Sequence, residues 1–125
     1  MRIRRKSWAR PELEQCKYFI DNPEEKKGKW KENFEKDNPI HLELGAGKGV
    51  FIADLAVQHL EINYIAIDIK SDVLGYARRN IEKSYTEAEQ KVENVLLTAY
   101  NIEQIKDISG IGDSLFNEIK DQITV

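Results

Sequence analysis

The sequence predicts an α/β fold in which helices cover a parallel sheet. Three short apolar runs, at 40–44, 64–68 and 95–99, have the length and the branched side chains of buried strands. The first and second intervals between them carry apolar residues at helical spacing. Strands that alternate with helices are typical of right-handed βαβ units. The pattern therefore indicates a βαβαβ unit, which is half of a doubly wound sheet.

A short helix is predicted ahead of this unit. Apolar residues recur at helical spacing from Pro11 to about Ile20, with Leu13 and Cys16 between them. Asp21-Asn22-Pro23 then breaks the helix, because proline lacks a backbone N–H. Residues 26–38, which are mostly polar, are predicted to be irregular.

Within the α/β unit, each strand leads into a helix or a turn. Pro39 precedes the first strand, and residues 50–60 form the first helix. Ser71 is predicted to cap a second helix that continues through Lys83. Residues 86–92 read as a polar helix or loop before the third strand.

The end of the chain has a different pattern. Residues 109–112 are predicted to turn, and residues 113–123 form a short amphipathic helix. The predicted parts are a basic arm with a short helix at 1–38, the βαβαβ half-domain at 39–108 and a divergent helical tail at 109–125.

A glycine-rich loop follows the first strand, with the sequence Glu43-Leu-Gly-Ala-Gly-Lys-Gly. Gly45, Gly47 and Gly49 let the backbone turn tightly, so that a ligand can lie against the main chain. Asp68 ends the next strand about 20 residues further on, the spacing expected of a carboxylate that binds a ribose. These residues predict a nucleotide-type cofactor site.

Asn101 is expected beside the same cleft. Ligands of open α/β sheets bind beyond the carboxyl ends of the strands, and Asn101 follows the third strand. Its amide can both donate to and accept from the edge of an adenine. The alternative, a turn residue that closes the strand, remains open.

The loop sequence discriminates between cofactors. A phosphate-binding P-loop is excluded because Lys48 is followed by Gly49 and not by a hydroxyl residue. A dinucleotide fingerprint would require glycine where Val50 stands. The carboxylate of Glu43 would repel a pyrophosphate but attract the sulfonium and ammonium of S-adenosylmethionine. The loop therefore favours S-adenosylmethionine over NAD.

Charge is distributed unevenly along the chain, whose net charge is −3. Residues 1–31 hold 10 Lys/Arg against 5 Asp/Glu, whereas residues 32–125 hold 9 against 17. Such a basic arm is a candidate contact for the phosphate backbone of a nucleic acid, and a solvated terminus is the alternative. Trp8 and Trp30 are available to stack on a base or to lie against the domain. The candidate cations are Arg2, Arg4, Arg5, Lys6 and Lys29.

Composition excludes several classes of protein. With 125 residues the chain suits one small globular domain. It contains no apolar stretch near the roughly 20 residues of a membrane span, so no membrane association is expected. Its one cysteine, Cys16, cannot form an internal disulfide, which fits a reducing, cytoplasmic location. No metal site is predicted.

Four stretches, taken in order and spacing, resemble the bacterial tRNA (guanine-N7)-methyltransferases. They are Met-Arg-x-Arg-Arg-Lys-x-Trp-Ala at the start, Lys-Gly-Lys-Trp at 27–30, Asn-Pro-Ile-His-Leu-Glu-Leu-Gly-Ala-Gly-Lys-Gly at 38–49 and Asn-Tyr-Ile-Ala-Ile-Asp at 63–68. The resemblance implies a Rossmann-like methyltransferase fold and methyl transfer from S-adenosylmethionine to guanine N7 in the variable loop of tRNA. By position it assigns cofactor binding to Glu43, Asp68 and Asn101, the last standing where many relatives have aspartate.

The resemblance ends at about Ile108. Relatives carry Asp-Pro-Trp-Pro-Lys after a fourth strand, and residues 102–125 contain neither proline nor tryptophan. The expectation is therefore a truncated form in which no catalytic residue is identified. Three alternatives remain: a methyltransferase of small molecules, a non-catalytic remnant that binds cofactor or tRNA and, in third place, a dehydrogenase fragment. Without the fourth strand, the edge of strand 40–44 would be exposed and would invite self-association.

Overall fold

The computed structural model describes residues 6–101 of the chain. Two short 3-10 turns lie at Pro23–Lys26 and Trp30–Asn33, and the second is inside the segment 26–38 that the sequence predicts to be irregular. The helices and strands are α1 (Ala9–Glu14), β1 (Phe19–Ile20), β2 (Ile40–Leu44), α2 (Val50–Gln58), β3 (Asn63–Asp68), α3 (Ser71–Glu87) and β4 (Val95–Ala99). The predicted turn at 109–112 and tail helix at 113–123 lie outside the described residues.

The four described strands form one parallel sheet in the order β1-β4-β3-β2. Ala66 of β3 lies opposite Glu43 of β2 on one side and opposite Leu97 of β4 on the other. Strands β3 and β4 are buried along nearly their whole length. The predicted α/β fold with a βαβαβ unit is confirmed.

Helix α3 continues to Glu87, beyond its predicted end at Lys83, and the additional turn buries Tyr85. Tyr85 is 1% exposed, and its hydroxyl donates to the side chain of Asn94 just before β4. The start of the helix also differs from the prediction. Ser71 is already helical, Lys70 occupies the N-cap position, and no side chain caps the helix.

The predicted helix to Ile20 is wrong in its second half. Helix α1 ends at Glu14, and Phe19 and Ile20 instead form β1, which pairs with β4. Leu97 N–H donates to the carbonyl of Tyr18 at 2.8 Å, and the Thr98 hydroxyl donates to the carbonyl of Ile20 at 2.7 Å. Pairing of main-chain groups along the outer edge of β4 outweighs the helical spacing of the side chains.

Both tryptophans of the N-terminal segment lie against the domain. Trp30 is 5% exposed and belongs to the core together with Phe34. The ring of Trp8 packs edge-on against Tyr76 of α3. The segment before β2 is therefore held to the sheet and helices by aromatic side chains, although its backbone is largely irregular.

Helix α1 packs closely on helix α3. Gly75 makes this approach possible, since a Cβ there would lie 2.6 Å from the Cβ of Ala9. The carboxylate of Glu12 accepts hydrogen bonds from the guanidinium groups of Arg78 and Arg79. These contacts, with the Arg79 bond as the largest cause, lower the pKa of Glu12 to about 2. The two arginines thus join two helices.

Strand β2 is paired on one side within residues 6–101. Asn63 N–H donates to Pro39 O and Gly45 N–H donates to Ile67 O, both at 2.8 Å. Because bonding alternates along a strand, the odd-numbered residues of β2 bond to β3, and the backbone groups of Ile40, Leu42 and Leu44 point to the other side. The side chains of β2 are at best half-buried.

Over residues 6–101, no helix combines the length and apolar character needed to span a bilayer.

The Glu12 contacts should make stability depend on pH. A lowered pKa stabilises the fold fully above the ordinary value of 4.5, and the contribution is lost as pH falls through the folded value of about 2. We expect Glu12→Gln to lower stability in urea unfolding at neutral pH, and the difference from the unmodified chain to shrink in acid. Glu14→Gln, on the same helix, is the matched control because Glu14 pairs with Arg10 of its own helix. A difference that persists unchanged in acid would contradict this account.

We propose that the one-sided pairing of β2 supports self-association, since an edge strand can pair with another chain. The weight-average mass in sedimentation velocity should rise with protein concentration. A monomeric mass at every concentration, with a cooperative melt at ordinary temperature, would count against the proposal.

Candidate functional site

The glycine loop between β2 and α2 uses backbone conformations that favour glycine. Gly45, Gly47 and Gly49 have φ values of +74°, +59° and +75°. Among residues 6–101, a Cβ on Gly45 would meet no atom within 4 Å, and one on Gly47 would meet only the Gly45 oxygen at 4.0 Å. The spacing of glycines in the sequence therefore reflects a real backbone requirement, and the first two leave open space beside the main chain.

The end of β3 holds this loop in place. The N–H groups of Gly45 and Ala46 donate to the carbonyl of Ile67, at 2.8 and 3.0 Å. Gly47 N–H donates to Oδ2 of Asp68 at 3.0 Å, and Lys70 N–H donates to Oδ1 at 3.2 Å. A carboxylate has about four acceptor positions, so two remain for a ligand. The sequence did not reveal that Asp68 also braces the loop.

Gly49 has a different part from the other two glycines. It is buried, and a Cβ there would lie 2.6 Å from the Cβ and 2.7 Å from the Cα of Ala77 on α3. The side chain of Asn80, further along α3, donates to the carbonyl of Lys48 at 2.7 Å. The third glycine thus lets the loop seat on α3, and its predicted contact with a cofactor stays a prediction.

Glu43 is the unpaired acid of this region. It lies in β2, is half-buried, and has no hydrogen-bond or ion-pair partner within residues 6–101. Burial raises the pKa of its carboxyl group above the usual 4.5. A nearby cation stabilises a partly desolvated carboxylate, so the position suits a positively charged ligand.

The strand ends bring the predicted residues to one edge of the sheet. Strands β2, β3 and β4 are parallel neighbours, and Glu43, Asp68 and Asn101 lie at or just beyond their carboxyl ends. Tyr100 N–H donates to the carbonyl of Asp68 at 2.9 Å, which keeps the ends of β3 and β4 together. The candidate cofactor residues therefore share one edge, as parallel topology predicts.

Exposed apolar side chains border this edge, and sequence analysis overlooked them. Val50 and Phe51, in the first turn of α2, are each 64% exposed, and Ile69, directly after Asp68, is 61% exposed. Large apolar side chains that stand free beside polar groups are typical of ligand sites. Their position directly after the glycine loop and the strand carboxylate was the signal available in the sequence.

The predicted nucleic-acid contacts are only partly described. Arg2, Arg4 and Arg5 lie outside the described residues. Lys6 precedes α1, and its carbonyl accepts from Ala9 N–H at 3.2 Å. Lys29 is exposed and closes a turn in which its N–H donates to Lys26 O at 2.7 Å. Lys6 and Lys29 thus lie on ordered backbone.

Replacing Gly49 separates backbone strain from packing. We expect Gly49→Ala to lower the free energy of unfolding by about 2–4 kcal/mol, because alanine would meet both a left-handed φ and the α3 backbone. Gly28→Ala is the matched control, since Gly28 has φ +76° and no atom within 4 Å of its Cβ position. That variant should lose only about 1 kcal/mol. Equal losses in urea unfolding would show that the contact with Ala77 is unimportant.

Comparison with known proteins places these features in a family. Residues 37–114, which include the glycine loop and strands β2 to β4, match the model of a family described as a putative methyltransferase. The chain is 55% identical over 115 residues to a tRNA (guanine-N(7)-)-methyltransferase of Clostridium botulinum (strain Alaska E43 / Type E3), a match that covers 92% of this chain and 52% of that protein.

Two further relatives carry the same name. The protein of Clostridium beijerinckii (strain ATCC 51743 / NCIMB 8052) is 59% identical over 108 residues, which cover 86% of this chain and 49% of the relative. That of Ruminiclostridium cellulolyticum (strain ATCC 35319 / DSM 5812 / JCM 6584 / H10) is 54% identical over 109 residues, covering 86% and 46%. The chain spans about half the length of these curated relatives.

Proposed function

The chain belongs to the methyltransferase family matched by residues 37–114, and on that basis we propose that it provides the cofactor-binding part of a tRNA (guanine-N(7)-)-methyltransferase. The observation that carries the proposal is the half-buried carboxylate of Glu43, which has no partner within residues 6–101 and lies beside the glycine loop. When bound, S-adenosylmethionine supplies a methyl group activated by a sulfonium.

The charge of the site supports S-adenosylmethionine and opposes a dinucleotide. A pyrophosphate near Glu43 would add a second negative charge in a partly desolvated place, where repulsion is poorly screened. A cation there would instead compensate the cost of burying the carboxylate. The pKa of the Glu43 carboxyl group is raised because burial disfavours its charged form.

The neighbouring residues suit a nucleoside. Asp68 has acceptor positions beyond the two used by Gly47 and Lys70, and these can receive the hydroxyls of a ribose. Ile69 offers an exposed apolar surface next to it, on which the flat face of an adenine can lie. Asn101, beyond the end of β4, is the proposed partner of the adenine edge.

The basic arm is the proposed tRNA contact. The relatives are named for a tRNA substrate, and the arm's excess of positive charge suits a phosphate backbone. The proposed contacts are Arg2, Arg4, Arg5, Lys6 and Lys29. A tRNA substrate would also place the protein in the cytoplasm, in line with its single cysteine.

The chemistry asks chiefly for positioning. Guanine N7 carries an exposed lone pair and attacks the methyl carbon directly, so that binding both reactants in line supplies much of the rate. The product guanine is cationic, and a carboxylate beside it would stabilise the transition state. None of the residues discussed above is assigned that part, and the catalytic residue is left unassigned.

The decisive experiment measures binding and transfer together. S-Adenosylmethionine binding is measured by calorimetry, and tRNA lacking 7-methylguanosine is incubated with cofactor and analysed by nucleoside mass spectrometry. New 7-methylguanosine would establish the whole activity. Cofactor binding without transfer, while the C. botulinum relative is active alongside, would identify a non-catalytic binding protein. No binding of S-adenosylmethionine would refute the proposal.

Binding should depend on the ionisation of Glu43. Because burial raises its pKa, we expect affinity for S-adenosylmethionine to increase as pH rises through that raised value. Glu43→Gln should weaken binding roughly tenfold at neutral pH and flatten the pH dependence. Glu87→Gln, at the far end of α3, is the control that should change neither. An equally steep pH profile in Glu43→Gln would assign the dependence to another group.

A further inference from the structure

The positive charge of Lys48 is unexpected in a loop that is proposed to bind a cationic cofactor. It stands between Gly47 and Gly49, and its side chain is exposed. An ammonium free to move there would compete with the cofactor for the carboxylates of Glu43 and Asp68. The structure shows where that charge is kept.

Helix α3 holds both ends of Lys48. The ammonium lies over the ring of Tyr76, 5.0 Å from its centroid. Asn80, one helical turn further along, donates to the carbonyl of the same lysine at 2.7 Å. Between them on the helix, Ala77 packs against Gly49. The lysine is therefore directed toward α3, where its ammonium contacts an aromatic face.

The Tyr76 ring is supported in turn by the N-terminal segment. Trp8 meets it edge-on, with centroids 5.1 Å apart and planes at 88°. The guanidinium of Arg79 lies over the Trp8 ring at 3.6 Å and also binds the carboxylate of Glu12 on α1. Two helices thus fix the orientation of the ring on which Lys48 rests.

We propose that Tyr76 is a positioning residue that holds the Lys48 ammonium away from the cofactor and so favours a cofactor that carries a positive sulfonium. The inference rests on the proposed cofactor site. It adds a residue outside the glycine loop, and it makes the packing of α1 on α3 a condition for selectivity.

The test compares two ligands that differ in this charge. S-Adenosylhomocysteine has the nucleoside, ammonium and carboxylate of S-adenosylmethionine but lacks the methyl group and its sulfonium charge. Calorimetry on the whole chain should show that Tyr76→Leu weakens S-adenosylmethionine binding roughly threefold to fivefold more than S-adenosylhomocysteine binding. Tyr76→Phe, which keeps the ring, should preserve the ratio of the two affinities.

A second substitution identifies the charge responsible. In the Tyr76→Leu background, Lys48→Gln should restore the original ratio of affinities. If Tyr76→Leu weakens both ligands equally, its part is structural and the proposal is wrong. If Lys48→Gln alone weakens both ligands equally, the lysine contacts the cofactor's carboxylate, and the proposal is again wrong. If the unmodified chain binds neither ligand, the proposed function itself fails.

A measurement on the unmodified chain avoids dependence on a stable variant. The ring should shift the ε-methylene protons of Lys48 upfield in the NMR spectrum, and this shift should persist when S-adenosylmethionine is added. Movement of these signals to ordinary lysine positions on addition of cofactor would show that the ammonium leaves Tyr76, and would overturn the proposal.

Discussion

The carboxylate of Asp68 joins the segments that border the candidate site. One oxygen accepts the N–H of Gly47 and the other accepts the N–H of Lys70, so the same side chain fastens the glycine loop and the approach to α3. The backbone carbonyl of Asp68 also receives Tyr100 N–H from the end of β4. The glycine loop, the segment leading into α3 and the end of β4 thus each donate a backbone hydrogen bond to Asp68, at the end of β3. A ligand that bound Asp68 would contact a side chain that is already held in place.

Helix α3 is the second element that supports the glycine loop. Its buried stripe packs on the core, Ala77 receives Gly49, and Gly75 receives Ala9 of α1. Small residues at these points let two other segments approach the helix backbone closely. Helix α3 therefore packs against the glycine loop with one part of its surface and against the N-terminal segment with another. Tyr76 contacts both segments, through Lys48 and through Trp8.

Much of this arrangement could be predicted from local sequence. The strands 40–44 and 95–99 were predicted with the observed bounds, because branched apolar runs bounded by turns can be recognised from the local sequence. The alternating glycines predicted a tight turn, and Gly45, Gly47 and Gly49 have positive φ values in that turn. The edge shared by Glu43 and Asp68 followed from parallel topology alone.

The remainder depends on partners far apart in the chain. Phe19 and Ile20 carry helical spacing, but their conformation is decided by β4, whose Thr98 lies 78 residues beyond Ile20. Likewise Glu12 meets Arg78 and Arg79 across 66 and 67 residues, so the two arginines could not be assigned from their own neighbourhood. The contact of the Lys48 ammonium with the Tyr76 ring likewise joins residues that are distant in the chain. Local patterns determined β2, β3, β4 and the helices between them, whereas long-range pairing determined β1 and the contacts of these polar side chains.

The alternation of backbone bonding along β2 has a consequence for the exchange of amide hydrogens. Within the described part of the chain, the N–H groups of His41 and Glu43 face β3, whereas those of Ile40, Leu42 and Leu44 face the other way. Protection from deuterium should therefore alternate residue by residue along this strand, which is unlike the continuous protection of buried β3. A further strand that paired with this side of β2 would protect the remaining amides and remove the alternation. Exchange at the five amides of β2 therefore reports whether the strand is paired on one side or on both.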